Sequence, residues 1–491
     1  MRFRHPDGSL VHLAYCTNVH PAETLDGVRA QLRDYCEPVR RRLGRDRLGI
    51  GLWLARDAAR ALISDPAALR ELRADLDRRG LEVVTLNGFP YEGFGAQEVK
   101  YRVYKPDWTD AERLTHTTDL ARLLTALLPD DVREGSISTL PLAWRTPFTE
   151  QDAATARGAL VTLAERLDAL EELTGRSIRI GLEPEPGCIV ETTADAIAPL
   201  TAIREEIHRR AATTTPAAPT ATPAAASSGT PAAARGGTPA VPGATPDGAT
   251  TTPADADADA SAPAACRSAA VAAATQSPSV PRPRQAAQPT RPGSNGLGDH
   301  AAPSAAPDRI GICIDTCHLA TSFEDPHTAL DALETAGIAV PKVQLSAALH
   351  AEHPQHPEVR EALSAFDEPR FLHQTRTRTA GALHGTDDLG PALFGDTLPD
   401  TTPWRAHFHV PLHAAPAPPL TSTLSVLRET LARLVGGAHP RTRHLEVETY
   451  TWQALPDALR PRARSQLADG IAAELTLARD LLVDLGLKEL P

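Results

Sequence analysis

The chain has 491 residues, with 62 acidic and 50 basic side chains and a formal net charge of −12, which argues against an electrostatic nucleic-acid surface. Its six cysteines show no disulfide framework and no paired zinc spacing, and no apolar run approaches the length of a transmembrane helix. The start, Met1-Arg2-Phe3-Arg4-His5-Pro6, lacks the apolar stretch of a signal peptide, so a cytoplasmic location without direct membrane insertion is expected.

The first expected element is a strand over residues 9–17, which puts Asn18 and His20 on the loop that follows it. Leu25, Val28, Leu32 and Val39 predict an amphipathic helix over 24–42, kinked near its end by Pro38. Strands are expected at 48–54 and 81–86, with two helical stretches between them. The loop after the third strand gathers Phe89, Tyr91, Phe94, Tyr104 and Trp108 in a chain that is only 4% aromatic, and it suits a lid over a small ligand. Lys100, on the same loop, would neutralise an anionic substrate group. A helix over 110–128, a strand over 136–140 and a long helix over 153–173 come next.

Residues 177–183 read as a strand that breaks at Pro184 and carries Glu183 at its end. A helix over 194–210 leads into 211–307, which is mostly Ala, Thr, Pro, Ser and Gly and has no Phe, Tyr, Trp or Ile. Such a segment cannot bury enough apolar surface to offset its ordering entropy, and its recurring prolines forbid a helix. It is expected to be a disordered insertion that separates residues 1–210 from 308–491, the two parts of one domain.

Residues 310–314 are a β-branched run that ends at Asp315, with His318 one turn further on. A carboxylate there either N-caps the next helix or faces a pocket. Cys313 and Cys317 read as buried small hydrophobes. A helix over 326–336 and a short strand carrying Gln344 follow. The stretch 346–441 is too long for a simple connection; His350, His353 and His356 read as its surface. His407 and His409 alternate around Phe408, so an extended backbone would point both the same way, toward a pocket or a metal. Near the end, Glu446 and Glu448 share one face of a strand, and a helix over 465–485 closes the chain.

Four strands thus carry Glu183, Asp315, Gln344 and Glu448 at or near their C-terminal ends. In a (β/α)₈ barrel those ends converge on one face, where catalytic residues belong. The expected fold is α/β, a (β/α)₈ TIM barrel with long catalytic-face loops. Glu, then Asp-x-x-His, then Gln or His, then Glu on the last strand is similar to the pattern of xylose isomerase-like barrels. The segments AYCTNVHP, TLNGFPYEGFG, VKYRVYKPDW, GLEPEPG, CIDTCH and LEVETYTW together resemble the EboE-type metabolite traffic proteins of that superfamily. The resemblance covers both halves of the chain and skips the middle.

The resemblance implies a divalent metal ion (Mn, Mg, Co or Zn) held by Glu183, Asp315, Gln344 and Glu448. That set is hard and oxygen-rich; adding His318 or His409 would pull it toward Mn, Co, Fe or Zn. It further implies proton transfer by Glu183 and Glu448, with His318 bonding a substrate oxygen. Asn18, His20, Lys100, His407 and His409 would line the substrate. The implied activity is isomerase- or epimerase-type chemistry on a small metabolite, in sugar (phosphate) fashion. The alternative is a non-catalytic carrier that hands a metabolite to a membrane transport partner. Gln344 departs from the His that most sugar epimerases carry on that strand.

Overall fold

The computed structural model describes residues 1–20, 22–214 and 308–491; the disordered insertion expected from 211 to 307 lies outside the described residues from 215 onward. Eight short runs rich in Leu, Ile and Val form parallel strands: Leu10–Cys16 (β1), Leu48–Trp53 (β2), Leu81–Asn87 (β3), Glu134–Thr139 (β4), Ser177–Leu182 (β5), Ile310–Asp315 (β6), Lys342–Leu345 (β7) and His444–Val447 (β8). Each pairs with the next in chain order, and β8 returns to β1 with Leu445 opposite Leu13 and Val447 opposite Tyr15. The sheet therefore closes without an edge, which is the expected TIM barrel. Strands β2, β3, β6, β7 and β8 are buried from end to end, as parallel strands covered by helices must be.

The helices follow their sequence signals. Glu150–Thr174 starts on a Thr149–Asp152 capping box and stops at Gly175, which takes the left-handed φ of 67°. The helix expected over 24–42 is instead Leu25–Gln31, a π-turn at Leu32–Cys36, and Glu37–Leu43. Pro38 lacks an N–H, and its ring crowds the carbonyl one turn back at Asp34, so the irregularity lies before the proline and not after it. Arg2–Arg4 pairs antiparallel with β1 and with Lys488–Glu489 at the barrel's N-terminal face. Strands of two or three residues carry no periodicity, so neither was anticipated. Among the described residues, no helix is long and apolar enough to cross a membrane.

The long stretch between β7 and β8 builds a second, five-stranded antiparallel sheet. Its order is Ala382–Thr386, Thr375–Thr379, Trp404–Ala406, Leu349–Ala351 and Thr421–Ser422.

The interior of the barrel is polar beneath its mouth. Lys342 Nζ lies 3.1 Å from Glu446 Oε2, with neither side chain exposed, and donates to Leu86 O and Ser138 Oγ at 3.2 Å each. Burial opposes the ammonium's charge, but Glu446 and neighbouring thiols and carboxylates outweigh it and hold Lys342 above its ordinary range. Gly51 makes room for this pair: a Cβ there would sit 1.7 Å from Glu446 Oε2. Gly51→Ala is therefore expected to cost about 2–4 kcal/mol in urea unfolding, because a buried, paired carboxylate has nowhere to go. Gly158, within Glu150–Thr174, has nothing within 4 Å of its would-be Cβ. Gly158→Ala should instead stabilise by about 0.5–1 kcal/mol. Equal effects of the two changes would contradict this packing.

Candidate metal centre and its cavity

β5 ends because Pro184 has no N–H to continue the ladder, and Glu183, whose own N–H still reaches Thr139 O at 3.0 Å, enters the barrel mouth. β6 ends at Asp315, whose two oxygens differ: one is the expected helix cap. Oδ1 accepts from Cys317 N (2.7 Å), His318 N (3.0 Å) and Ser346 Oγ (2.6 Å), capping Thr316–Thr321. Oδ2 has no hydrogen-bond partner and lies 3.9 Å from His409 Nε2. Gln344 stands opposite Asp315 in the β6–β7 register, fully buried, with both amide atoms unpartnered. Glu448, just past β8, accepts from Asn18 Nδ2 (2.7 Å) and Asn87 Nδ2 (2.8 Å) on a single oxygen, Oε1.

Glu183, Asp315 and Glu448 each place a carboxylate oxygen within 4.8 Å of the others, and Asp315, His318 and His409 form a second such trio. Burial lifts Glu183 to about 7, with His318 opposing and Asp315 adding to the lift. Glu448 is pushed well above its ordinary value by burial and then by Glu183, Asp315 and Glu446. For Asp315, burial acts upward, but His318, His409 and the Ser346 bond prevail and lower it.

Three histidine tautomers follow from their partners. Nδ1 of His318 faces Pro184 O at 2.8 Å and Nδ1 of His409 faces Glu448 O at 2.6 Å; a carbonyl only accepts, so both nitrogens carry protons. Gln374 donates through Nε2 to Pro186 O (2.9 Å) and Tyr104 Oη (2.8 Å), so its Oε1 accepts from His407 Nδ1 at 2.8 Å. Nε2 of His409 is consequently a free lone pair, without a partner, beside Asp315. Nε2 of His318 and Nε2 of His407 face each other at 2.9 Å, a contact that needs one proton between them. That proton belongs to His318. Burial opposes its charge, yet Asp315, Glu185 and Glu183 raise its affinity for a proton, whereas burial and then His318 depress His407 far below its usual value.

The donor atoms fit a divalent cation. Glu183 Oε2, Asp315 Oδ2, Gln344 Oε1 and His409 Nε2 are all buried without a partner, and buried polar atoms seldom remain so. Each of the three nitrogens Nδ1 of His318, His407 and His409 is anchored on an oxygen, as metal-ligating imidazoles usually are.

At the barrel mouth is a cavity lined among others by Asn18, Glu183, His318, His407 and Glu448. Lys100 also lines it, but its ammonium is paired with Asp388 and reaches Glu368 O. His20 is not brought to this cavity: it is buried, stacked on Tyr35 with centroids 4.2 Å apart, and lines a separate cleft. His353 and His356 are exposed, as expected, while His350 is partly buried on Leu349–Ala351. Four site residues were missed: Asn87 orients Glu448, Glu185 accepts from Tyr104 at 2.7 Å, Gln374 fixes His407, and Tyr450 lines the cavity together with Tyr104 of the aromatic loop. Pro184-Glu185-Pro186, an acid held between two prolines just after a strand, was the readable signal for Glu185.

No family model matches the chain, and no curated protein matches it. Solved structures offer distant likenesses. A D-allulose 3-epimerase from Methylomonas sp. superposes with a TM-score of 0.40 at 10% identity, covering 96% of this chain and 98% of that one. A xylose isomerase-like TIM barrel protein from Mycobacterium smegmatis, in complex with magnesium, has a TM-score of 0.40 at 11% identity, covering 96% and 98%. The IOLI protein with a bound zinc atom has a TM-score of 0.39 at 11% identity, covering 96% and 99%. The barrel assignment rests on this chain's own strand pairing and not on these likenesses.

Glu183 stands near 7 in the folded chain against 4.5 ordinarily, so its contribution to metal-free stability is full below about 4.5 and is lost as pH rises through about 7. A divalent cation competes for the same oxygens, so its affinity should rise across that window. The melting-temperature advantage of wild type over Glu183→Gln, followed from about pH 5 to pH 8 without metal, is expected to shrink. Added Mn²⁺ should reverse the trend. A difference independent of pH in both cases would remove Glu183 from the titrating cluster.

Proposed function

We propose that this barrel is a divalent-metal-dependent isomerase or epimerase that moves a proton on a small hydroxy-carbonyl metabolite. The carrying observation is the convergence of three buried carboxylates with four unpartnered ligand-type atoms at the barrel mouth. Glu183, Asp315, Glu448 and His409 would hold the ion, with Gln344 beneath them, an oxygen-rich set with one imidazole that suits Mn²⁺, Mg²⁺, Co²⁺ or Zn²⁺. The bound ion would supply Lewis acidity to adjacent carbonyl and hydroxyl oxygens of the substrate.

The chain's own groups supply the proton chemistry. Glu183, at the cavity wall beside Asp315 and Glu448, would take a proton from carbon next to a carbonyl. Glu448 is held by Asn18 and Asn87 and returns a proton, to the opposite face of the same carbon for epimerisation or to the neighbouring carbon for isomerisation. His318 and His407 line the cavity, and the N–H that His318 directs at His407 would turn to a substrate oxygen as charge develops on it. Asp315 keeps its position because its other oxygen caps a helix. The resemblance to EboE-type proteins supplies the setting, the traffic of a secondary-metabolite precursor toward a membrane partner.

The test is solvent-deuterium exchange into hydroxy-carbonyl compounds. Wild type is expected to exchange, and Glu183→Gln or Glu448→Gln to exchange at least about a hundredfold more slowly while the barrel stays folded. Wild-type protein that binds metal and metabolite yet exchanges no deuterium would be a carrier. Exchange surviving both substitutions would take these two glutamates out of the mechanism.

A further inference from the structure

We propose that the substrate of this site is a neutral hydroxy-carbonyl compound bearing an apolar aryl or alkyl group, and not a sugar phosphate. The inference rests on the reading of the metal centre above and adds what the rest of the cavity selects.

Beside the polar groups of the strand ends, the cavity has an aromatic wall. Phe94 from the loop after β3, Phe371 from the stretch between β7 and β8, and Tyr450 from the turn after β8 meet over the site. Their ring centroids are 5.2 Å (Phe94–Phe371), 5.5 Å (Phe94–Tyr450) and 4.9 Å (Phe371–Tyr450) apart. Phe89 and Leu372 continue the wall. Apart from the Tyr450 hydroxyl, which faces His407 Nε2 at 3.3 Å, these side chains offer a sugar's hydroxyls no partner, whereas an aryl or alkyl group would bury apolar area there.

Charge excludes a phosphate. Among the described residues lining the cavity, Lys100 is the one Lys or Arg, and its ammonium is already paired with Asp388. Glu183, Glu185 and Glu448 line the same space. A dianionic tail would stand beside three carboxyl groups with no unpaired Lys or Arg among the described lining residues to meet it.

The experiment compares three ligands that share one hydroxy-ketone head on the full chain loaded with Mn²⁺: hydroxyacetone, 2-hydroxyacetophenone and dihydroxyacetone phosphate. Calorimetric affinities are expected to favour 2-hydroxyacetophenone over hydroxyacetone by about tenfold or more, the scale of burying a phenyl ring, with the phosphate the weakest. Phe371→Ser should abolish most of the phenyl advantage, whereas Phe371→Leu, smaller but still apolar, should retain most of it; if Phe371→Ser fails to fold, the wild-type comparison of the three ligands decides. Asp388→Asn, by releasing Lys100, should strengthen dihydroxyacetone phosphate binding severalfold. Hydroxyacetone binding without any phenyl gain, or a phosphate that binds best to wild type, overturns this inference and leaves the metal centre standing. Absence of Mn²⁺ binding sinks the metal reading, and the phenyl preference is then read on the metal-free chain, where its loss would sink this inference too.

Discussion

Three carboxylates closed off from water in the mouth of a barrel are the constraint that the rest of this molecule is arranged around. With oxygens within 4.8 Å of one another, each pair of full charges repels by roughly 3 kcal/mol or more at the effective dielectric of a protein interior. Three such pairs rival the whole net stability of a domain. The fold answers with groups of opposite polarity around the cluster. Asn18 and Asn87 turn their amide N–H toward Glu448, two backbone N–H groups and Ser346 cap one oxygen of Asp315, and Lys342 carries its charge underneath. Glu446 then neutralises Lys342, so the column beneath the site alternates in sign. What these groups leave uncompensated is the set of oxygens and the imidazole lone pair that face one another, and a cation is the species that satisfies all of them.

The barrel strands alone supply the carboxylates; the stretch between β7 and β8 turns them into a site. It contributes His407 and His409 just after Trp404–Ala406, Gln374 just before Thr375–Thr379, and Phe371. The antiparallel register of those two strands, with Thr375 opposite Ala406, sets Gln374 beside His407, and His407 N completes the link by donating to Gln374 O at 2.9 Å. A ladder hydrogen bond and a side-chain hydrogen bond thus fix the same imidazole. The loop after β3 is fastened to this stretch as well, with Val99 N and Lys100 N both donating to Arg370 O. The aromatic wall is therefore built from segments locked to one another, which is how a cavity keeps its shape before a ligand arrives.

Much of this was legible in the chain because its signals are local. A β-branched run that ends in an acid and a proline, as at Glu183, or in an acid and a capped helix, as at Asp315, announces both the strand and its functional end. The helix expected over 153–173 runs over Glu150–Thr174, extended at its start by the Thr149–Asp152 box and stopped at Gly175. What stayed hidden depends on pairing across long sequence distance. Nothing near Asn87 says that its amide meets Glu448, 361 positions away. His20 and His409 look alike as histidines on loops, yet His20 turns onto Tyr35 while His409 is aimed by the Glu448 carbonyl. Burial of Lys342 with Glu446 was equally unreadable, because a charged residue within a short strand normally marks its solvent face.

The last helix shows how far from the chemistry the site's precision is set. Glu474, on Arg464–Asp484, is buried and lifted to about 7, with hydrogen bonds opposing the burial. Its Oε1 accepts from Leu412 N (3.0 Å) and Thr449 Oγ1 (2.6 Å), and its Oε2 from Trp452 Nε1 (3.1 Å). Leu412 lies three residues past His409, and Thr449 directly follows Glu448. A single carboxyl group therefore ties the segment that carries His409 to the one that carries Glu448. Thr451 Oγ1 adds a second tie by donating to His409 O. Gly470, one turn before Glu474, lets the Trp452 ring pack against the helix, since a Cβ there would meet the ring at 2.4 Å. His409 and Glu448 are thus set relative to each other through Glu474 on the last helix.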